Sequence, residues 1–145
     1  MKLIVEKDEE QLEPTIIIRC ATQDEKIKKL IEVINSYYLT IIGKLANEEY
    51  VLNLEDLYYF EAVDNHVFAY SIDKVYEVNY KIAELNDLLQ ETSFLQISRT
   101  VILNIRKIKK VSQLVNGRML ASLVNKEKMI ISRAYAQNLK RKLNN

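Results

Sequence analysis

Glycine is almost absent from this chain: its 145 residues hold two, Gly43 and Gly117, alongside one proline, one cysteine, one histidine and no tryptophan. Each scarcity removes a class of function. A phosphate-cradling or dinucleotide-binding loop needs several closely spaced glycines so that backbone N–H groups can approach the ligand, and here the two glycines stand far apart. Cys20 alone cannot form an internal disulfide and points to a reducing compartment. With His66 distant in sequence, it leaves little for a zinc site or a Cys–His nucleophile pair. No apolar run approaches the roughly 20 residues that span a bilayer. The opening "MKLIVEKDEEQLEP" turns acidic within six residues, unlike a signal peptide. Acid-rich stretches such as "DEEQLE" read as solvated surface rather than as a paired acid and base. The expectation is therefore a cytoplasmic protein without membrane association, not an enzyme, needing no metal or cofactor. A chain that is 48% hydrophobic and 28% charged folds as one modest domain, with room for a small appendage.

Acidic residues are themselves missing from one region. Residues 1–97 carry 9 Lys and Arg against 19 Asp and Glu, a net of −10, whereas residues 98–145 carry 12 Lys and Arg against one acid, Glu127, a net of +11. The stated total of +1 conceals this division. The densest stretch, "SRTVILNIRKIKKV" (Ser98–Val111), has five cations in fourteen residues and no acid. Segregation of this kind suggests a surface that faces a polyanion; the bland alternative is a basic face that balances acids of the same fold. Aromatic residues narrow the choice of polyanion, because of nine Tyr and three Phe only Tyr135 lies in the basic segment. Single-strand binders combine cations with aromatic platforms for base stacking, so the pattern favours double-stranded DNA. No helix-turn-helix pair is evident, since strand-like runs precede the terminal helical stretch.

Along the chain, "KLIVEKDEEQLEPTIIIRC" contains two short β-rich runs around an acidic connector. "TQDEKIKKLIEVINSYY" follows as a helix, with Thr22 and Glu25 placed as a capping box and Ile27, Leu30, Ile31, Ile34 and Tyr38 on one stripe. Residues 1–37 thus read as a strand–strand–helix unit. From Leu39 the rhythm is that of strands, "LTIIGKL", "EYVLNL", "DLYYFEA", "HVFAYSI" and "KVYEVNY", with turns that include "VDNH". "NYKIAELNDLLQ" is a short amphipathic helix, with Asn79 as its cap and Ile82, Leu85, Leu88 and Leu89 inward. "FLQIS" is another strand, and "TVILNI" is either a strand or a helical turn. "KIKKVSQLV", "MLASLV" and "MIIS" form a β-meander whose Asn116-Gly117 is the strongest hairpin signal in the chain. The last helix starts after Ser132, a good N-cap, with Tyr135, Leu139 and Leu143 inward.

The order "LEDLYYFEAVDNHVFAY", a short helix, "FLQISRTVILNIRKIKKV", "NGRMLASL" and "MIISRAYAQNLK" resembles the LytTR DNA-binding domain of bacterial transcription regulators, over residues 38–145. The D-[LI]-x-Y-[FI]-E start, the F-x-x-[IC]-[SH]-[RKN]-[ST] stretch, the Val101–Asn104 pattern, N-G-R and S-R-x-Y fall in the family's order. The resemblance implies an α+β, mainly β fold: an elongated antiparallel β domain with short helices, here preceded by the small strand–strand–helix unit of residues 1–37. It also implies recognition of double-stranded DNA by inter-strand loops entering successive grooves, rather than by a recognition helix. Many members carry a receiver domain in front, which 37 residues cannot supply, so a receiver-less regulator is expected. The N-terminal unit would complete a sheet or pair two protomers on tandem promoter sites, with a homodimer at least on DNA.

Three loops map onto the family's base contacts. Arg133 would present its fork to guanine O6 and N7; as an exposed first-turn cation it gains nothing from its own helix dipole. Arg99 would contact phosphate or a minor groove, against the alternative of a surface salt bridge. His66 would donate to a base edge, or else its imidazole caps a turn, and the position could shift to Asn65. Asn65, Ser98, Lys107, Lys109, Lys110, Arg118, Lys126 and Lys128 are candidates for phosphate contacts, which position without reading sequence. Asn104 reads as structural, bonding backbone at an irregular turn. The rival function is a protein-interaction module whose basic face docks an acidic partner or an anionic membrane surface, and a weaker third is a small-ligand sensor.

Overall fold

The computed structural model describes residues 1–144. Helix α1 (Glu25–Tyr38) is capped by Asp24, whose side chain accepts from Ile27 N at 2.9 Å. Asp24 thus displaces the expected Thr22, because its carboxylate reaches the third helical N–H while Thr22 lies two residues too early. The two β-rich runs before it form no strand, and no strand occurs before Ile41. Strand propensity reports how well a side chain fits a pleated, half-buried surface, and neither run finds a strand to pair with among the described residues.

The expected strands of residues 39–80 are all present: β1 (Ile41–Leu45), β2 (Glu48–Leu52), β3 (Tyr59–Val63), β4 (His66–Tyr70) and β5 (Val75–Val78). After α2 (Ile82–Leu88) come β6 (Phe94–Gln96) and β7 (Val101–Asn104), then β8 (Ile108–Gln113), β9 (Met119–Leu123), β10 (Lys128–Ile131) and α3 (Arg133–Asn144). Seven strands make one antiparallel sheet in the order β2-β1-β5-β4-β3-β7-β6, and the meander makes a second in the order β10-β9-β8. Two hairpins turn on two residues each, Ala46-Asn47 and Asp64-Asn65, all four at positive φ. That is the type I′ geometry that matches the twist of the flanking strands.

The "TVILNI" ambiguity resolves as β7, buried at all four positions. Its alternate side chains enter different cores. Ile102 joins Phe60, Leu57, Leu85, Leu89 and Phe94 beneath α2, while Val101 and Leu103 join Tyr59, Met119, Leu123, Ile131 and Leu139 beneath the small sheet and α3. A strand covered on both faces has no polar side to alternate with, which is why its pattern read ambiguously. In α2 the cap is Lys81, whose backbone N–H donates to Glu84 at 3.3 Å, so Asn79 lies outside the helix. Leu85 and Leu89 are buried but Leu88 is exposed. In α3, Ala136 and Leu139 are buried, Tyr135 is half-buried and Leu143 exposed.

Asn104 is fully buried at the end of β7. Its Nδ2 donates to Leu57 O at 2.9 Å, and its Oδ1 accepts from Ser93 Oγ at 2.8 Å and Arg106 N at 3.1 Å. The structural role expected of it is thereby met in full.

Candidate nucleic-acid interface

The loops singled out in the sequence meet along one edge. The β3–β4 tip carries Asp64 and Asn65, with His66 opening β4 opposite Val63. Beside it, Ala62 N donates to Thr100 O at 2.8 Å, which draws the Ser98–Thr100 loop against the end of β3. Ile97, just before that loop, has its carbonyl bonded by Ser132 N at 3.0 Å and by Ser132 Oγ at 3.2 Å, which ties in the start of α3. Ser132 therefore uses its hydroxyl to hold the loop rather than to cap the helix; its carbonyl accepts from Tyr135 N and Ala136 N. Arg133 follows directly. Its stem lies over the Asn116-Gly117 turn so closely that a Cβ at Gly117 would stand 3.0 Å from Arg133 Cγ. Gly117 also has φ +76°, a conformation open to glycine at little cost. His66, Arg99, Arg133 and Arg118 thus follow one another along the edge in the order in which their elements are bonded together. With strands about 4.8 Å apart, His66 and the Ser98–Thr100 loop are separated by roughly two strand spacings.

The hairpin at Asn116-Gly117 differs from a two-residue turn. Five residues separate Gln113 from its partner Met119, the loop closes with Leu114 N donating to Arg118 O, and Asn116 has φ 62°. The larger loop gives the Arg133 stem its seat.

The individual candidates differ in what already holds them. Arg99 and Arg133 are exposed and, among the described residues, form no hydrogen bond or ion pair. His66 Nδ1 lies 2.6 Å from Glu77 Oε1 on the neighbouring strand. A carboxylate can only accept, so Nδ1 donates, the ring is fixed and Nε2 is left for a partner. Asn65 occupies a positive-φ hairpin position. Ser98 Oγ accepts from Thr100 N at 3.3 Å, closing the loop beneath Arg99. Arg118 Nε reaches its own loop at Val115 O, 3.5 Å away.

The remaining lysines collect at the other end of the small sheet, roughly 15 Å away at about 3.4 Å per strand residue. Lys110 and Lys128 flank Ser122 in one cross-strand row, Lys109 sits at a bulge, and Lys126 tops the β9–β10 turn at φ 74°. Lys107 is engaged elsewhere: its Nζ is 5.0 Å from the centre of the Tyr58 ring, in a shallow hollow shared with Asp56 and Asp73.

Three internal uses of charge were invisible in the sequence. Glu127, the lone acid of the basic segment, accepts from Tyr59 Oη at 3.0 Å and joins the small sheet to β3. Burial first, and then that bond and the carboxylate's charge, push the Tyr59 phenol well above its ordinary value; Tyr70, stacked on it at 4.4 Å, is pushed up by burial and Glu61. Arg106 pairs with Glu32 of α1, with Nη2 at 2.6 Å and Nε at 3.1 Å from one oxygen. Lys142 donates to Thr92 O, and burial lowers its pKa. Among the described residues Arg106 is the sole cation of residues 98–144 in an ion pair. Lys107 shares its hollow with Asp56 and Asp73, whereas Arg99, Arg133 and the lysines of the small sheet have no acid within ion-pair distance among the described residues.

Residues 47–144 match the model of the LytTr DNA-binding domain. The chain belongs to that family. Its LytTr domain is a DNA-binding domain of α+β, mainly β architecture, as the motif resemblance implied. A solved LytTr DNA-binding domain, from a Bacillus cereus protein described as a methyl-accepting/DNA response regulator, superposes with a TM-score of 0.68 at 23% identity, covering 73% of this chain and 97% of that one. An uncharacterised HTH-type transcriptional regulator of Staphylococcus aureus (strain NCTC 8325 / PS 47) is 23% identical over 145 residues, 99% of this chain and 98% of its own length. The sensory transduction protein LytT of Bacillus anthracis is 27% identical over 140 residues, 94% of this chain and 57% of that protein. In the LytTr chain described here, β10 directly precedes α3, and among the described residues no two helices follow each other without an intervening strand. No helix is long and apolar enough to cross a membrane among those residues.

Proposed function

We propose that this LytTr protein is a sequence-specific transcription regulator of the cytoplasm that binds double-stranded promoter DNA through the edge formed by the β3–β4 tip, the Ser98–Thr100 loop and the start of α3. The observation that carries the reading is that row of His66, Arg99 and Arg133, brought together by the Ala62–Thr100 and Ser132–Ile97 bonds, with both arginines free of internal partners. Arginine's planar fork suits guanine O6 and N7, and loops spaced along an edge suit successive grooves on one face of a duplex. His66, Arg99 and Arg133 are the base-reading residues in this account. Asn65, Ser98 and Arg118 hold phosphates beside them, and Lys109, Lys110, Lys126 and Lys128 hold phosphates farther along the duplex. Lys107, committed to Tyr58 beside Asp56 and Asp73, is proposed no further as a phosphate contact. Two copies on tandem sites would double the contacts on one promoter.

Alanine variants measured against a panel of single-base-substituted duplexes test this. Arg133→Ala should cost about 1–3 kcal/mol and flatten the preference at one base pair, whereas Lys109→Ala should weaken all duplexes equally and reduce the salt slope by about one. Equal losses on every duplex for Arg133, Arg99 and His66 alike would refute base reading by this edge. Indifference to DNA of any sequence would favour docking of an acidic protein partner instead.

A further inference from the structure

The N-terminal unit has no place in the interface above, and it carries a disproportionate share of uncovered apolar surface. Ten of the twenty exposed large hydrophobic residues lie in residues 1–38, among them Leu3 at 82%, Ile4 at 66%, Val5 at 85% and Ile17 at 71% exposure. Helix α1 buries none of its residues, although its apolar side chains recur at helical spacing. Pro14, Ile16 and Ile18 stand opposite Ile31, Ile34 and Tyr38 around a shallow open hollow. Residues 1–46 lie outside the matched LytTr span.

We infer that this unit is a homodimerisation surface, and that its occupant is the same unit of a second copy. Three observations favour a second copy over another protein. Size permits it: the ten side chains together expose on the order of 1,000 Å² on each protomer, the scale of the about 800 Å² per partner in a standard stable interface. It is self-complementary in charge. Residues 6–13 carry five acids against one lysine, while the first turns of α1 carry Lys26, Lys28 and Lys29 against Glu25, which pairs with Lys28 at 3.5 Å. A two-fold interface requires one patch to match itself in this way. It is complementary in form as well, because "KLIV" and "TIIIRC" are strand-prone runs whose backbones have no strand partner among the described residues, and pairing across a two-fold axis satisfies both copies at once.

The unit is also held to the DNA-binding domain. Glu32 pairs with Arg106, and Asn35 Nδ2 donates to Glu91 O at 2.9 Å. Arg106 follows the end of β7, whereas the Ser98–Thr100 loop precedes its start, so α1 is attached at the end of the sheet opposite the DNA-facing edge. A dimer joined through α1 therefore fixes the separation of its two DNA-facing edges, a consequence that rests on the proposed DNA reading; the dimer itself does not.

The test starts with DNA-free protein. Sedimentation equilibrium of the full chain should show a dimer at low micromolar concentration, the weak end of the µM-to-pM range for interfaces of about this size. A nitroxide on Glu55→Cys in a Cys20→Ser chain, at an exposed position outside the proposed interface, should give a defined inter-protomer distance by pulsed dipolar spectroscopy. Ile17→Glu with Ile31→Glu should yield a monomer with an unchanged circular dichroism spectrum in the strand region. On duplexes with two sites, that variant should lose the tenfold or greater avidity gained from linkage yet keep its single-site affinity. Glu32→Ala should remain dimeric and tolerate a wider range of site spacing. A wild-type chain that stays monomeric to about 100 µM, weaker than the µM-to-pM range of such interfaces, with no dipolar distance from the labelled chain, would overturn the inference. Loss of DNA binding with the dimer intact would instead count against the DNA-facing edge.

Discussion

Replacing Asn104 by alanine isolates the structural demand made by one buried polar side chain. The side chain is 1% exposed and makes three hydrogen bonds, to Leu57 O, Ser93 Oγ and Arg106 N. Each such bond contributes about 1 kcal/mol net, and a buried group deprived of its partner costs about 1–3 kcal/mol. Ser93 is half-exposed and Arg106 exposed, so water can replace the amide at those two positions. Leu57 is 1% exposed, so its carbonyl loses the most. The expected loss is about 3–4 kcal/mol, a large fraction of the roughly 5–15 kcal/mol that holds a domain folded. It should lower Tm by about 6–16 °C at the 2–4 °C per kcal/mol of a chain this size. Urea unfolding followed by circular dichroism measures it, with Asn138→Ala at an exposed position of α3 as control. Asn104→Asp should be no better, since it keeps the acceptor but turns a second acceptor towards Leu57 O. Because Asn104 lies at the far end of β7 from Arg99, whatever remains folded should bind DNA with nearly unchanged affinity. A loss below about 1 kcal/mol for Asn104→Ala would refute this reasoning, since that is the net worth of a single bond.

Three further outcomes are expected. Tyr59 and Tyr70 keep their protons above pH 10, where tyrosines of the unfolded chain release theirs; the unfolded state then binds fewer protons, so stability falls as pH rises beyond 10. Tyr59→Phe should make that fall shallower in a pH series of denaturation midpoints, and an unchanged slope would remove Tyr59 as its source. Ala46 stands at φ 51° in a hairpin turn, so Ala46→Gly should stabilise by about 0.5–1 kcal/mol by removing the Cβ penalty; a loss would show that the turn is relaxed with alanine. Gly117→Ala should cost about 1 kcal/mol for its positive φ and displace the Arg133 stem, reproducing the change in base preference of Arg133→Ala. Unaltered preference in the folded variant would show that the turn does not set the arginine.

Strands β1 to β5 were legible because each pairs with a near neighbour in sequence, and the β1–β2 and β3–β4 turn residues take the positive φ that type I′ hairpins need. Asn104 was legible as structural from an amide set in an apolar run. The pairs Glu127–Tyr59 and Glu32–Arg106 span 68 and 74 residues, and no local pattern marks a long-range partner. The two N-terminal runs misled because alternation and β-branching describe a surface awaiting a neighbour, not the neighbour's presence. Leu88 and Leu143 were placed inward by periodicity, but in each helix the residues that reach the core form a narrower strip, Leu85 with Leu89 and Ala136 with Leu139. The edge itself could be listed loop by loop from the motifs; its assembly depended on backbone bonds such as Ser132 N to Ile97 O, which any residue type can make.

The most direct measurement is selection of bound duplexes from a random pool, followed by anisotropy of the selected duplex and a scrambled duplex of equal composition across a salt series. The account predicts that the selected duplex binds at least about a hundredfold more tightly at moderate salt, a floor below the roughly 10³–10⁷ typical of sequence-specific proteins, and that Arg133→Ala narrows that gap. Failure of the pool to enrich, with equal and salt-labile binding to both duplexes, would contradict it.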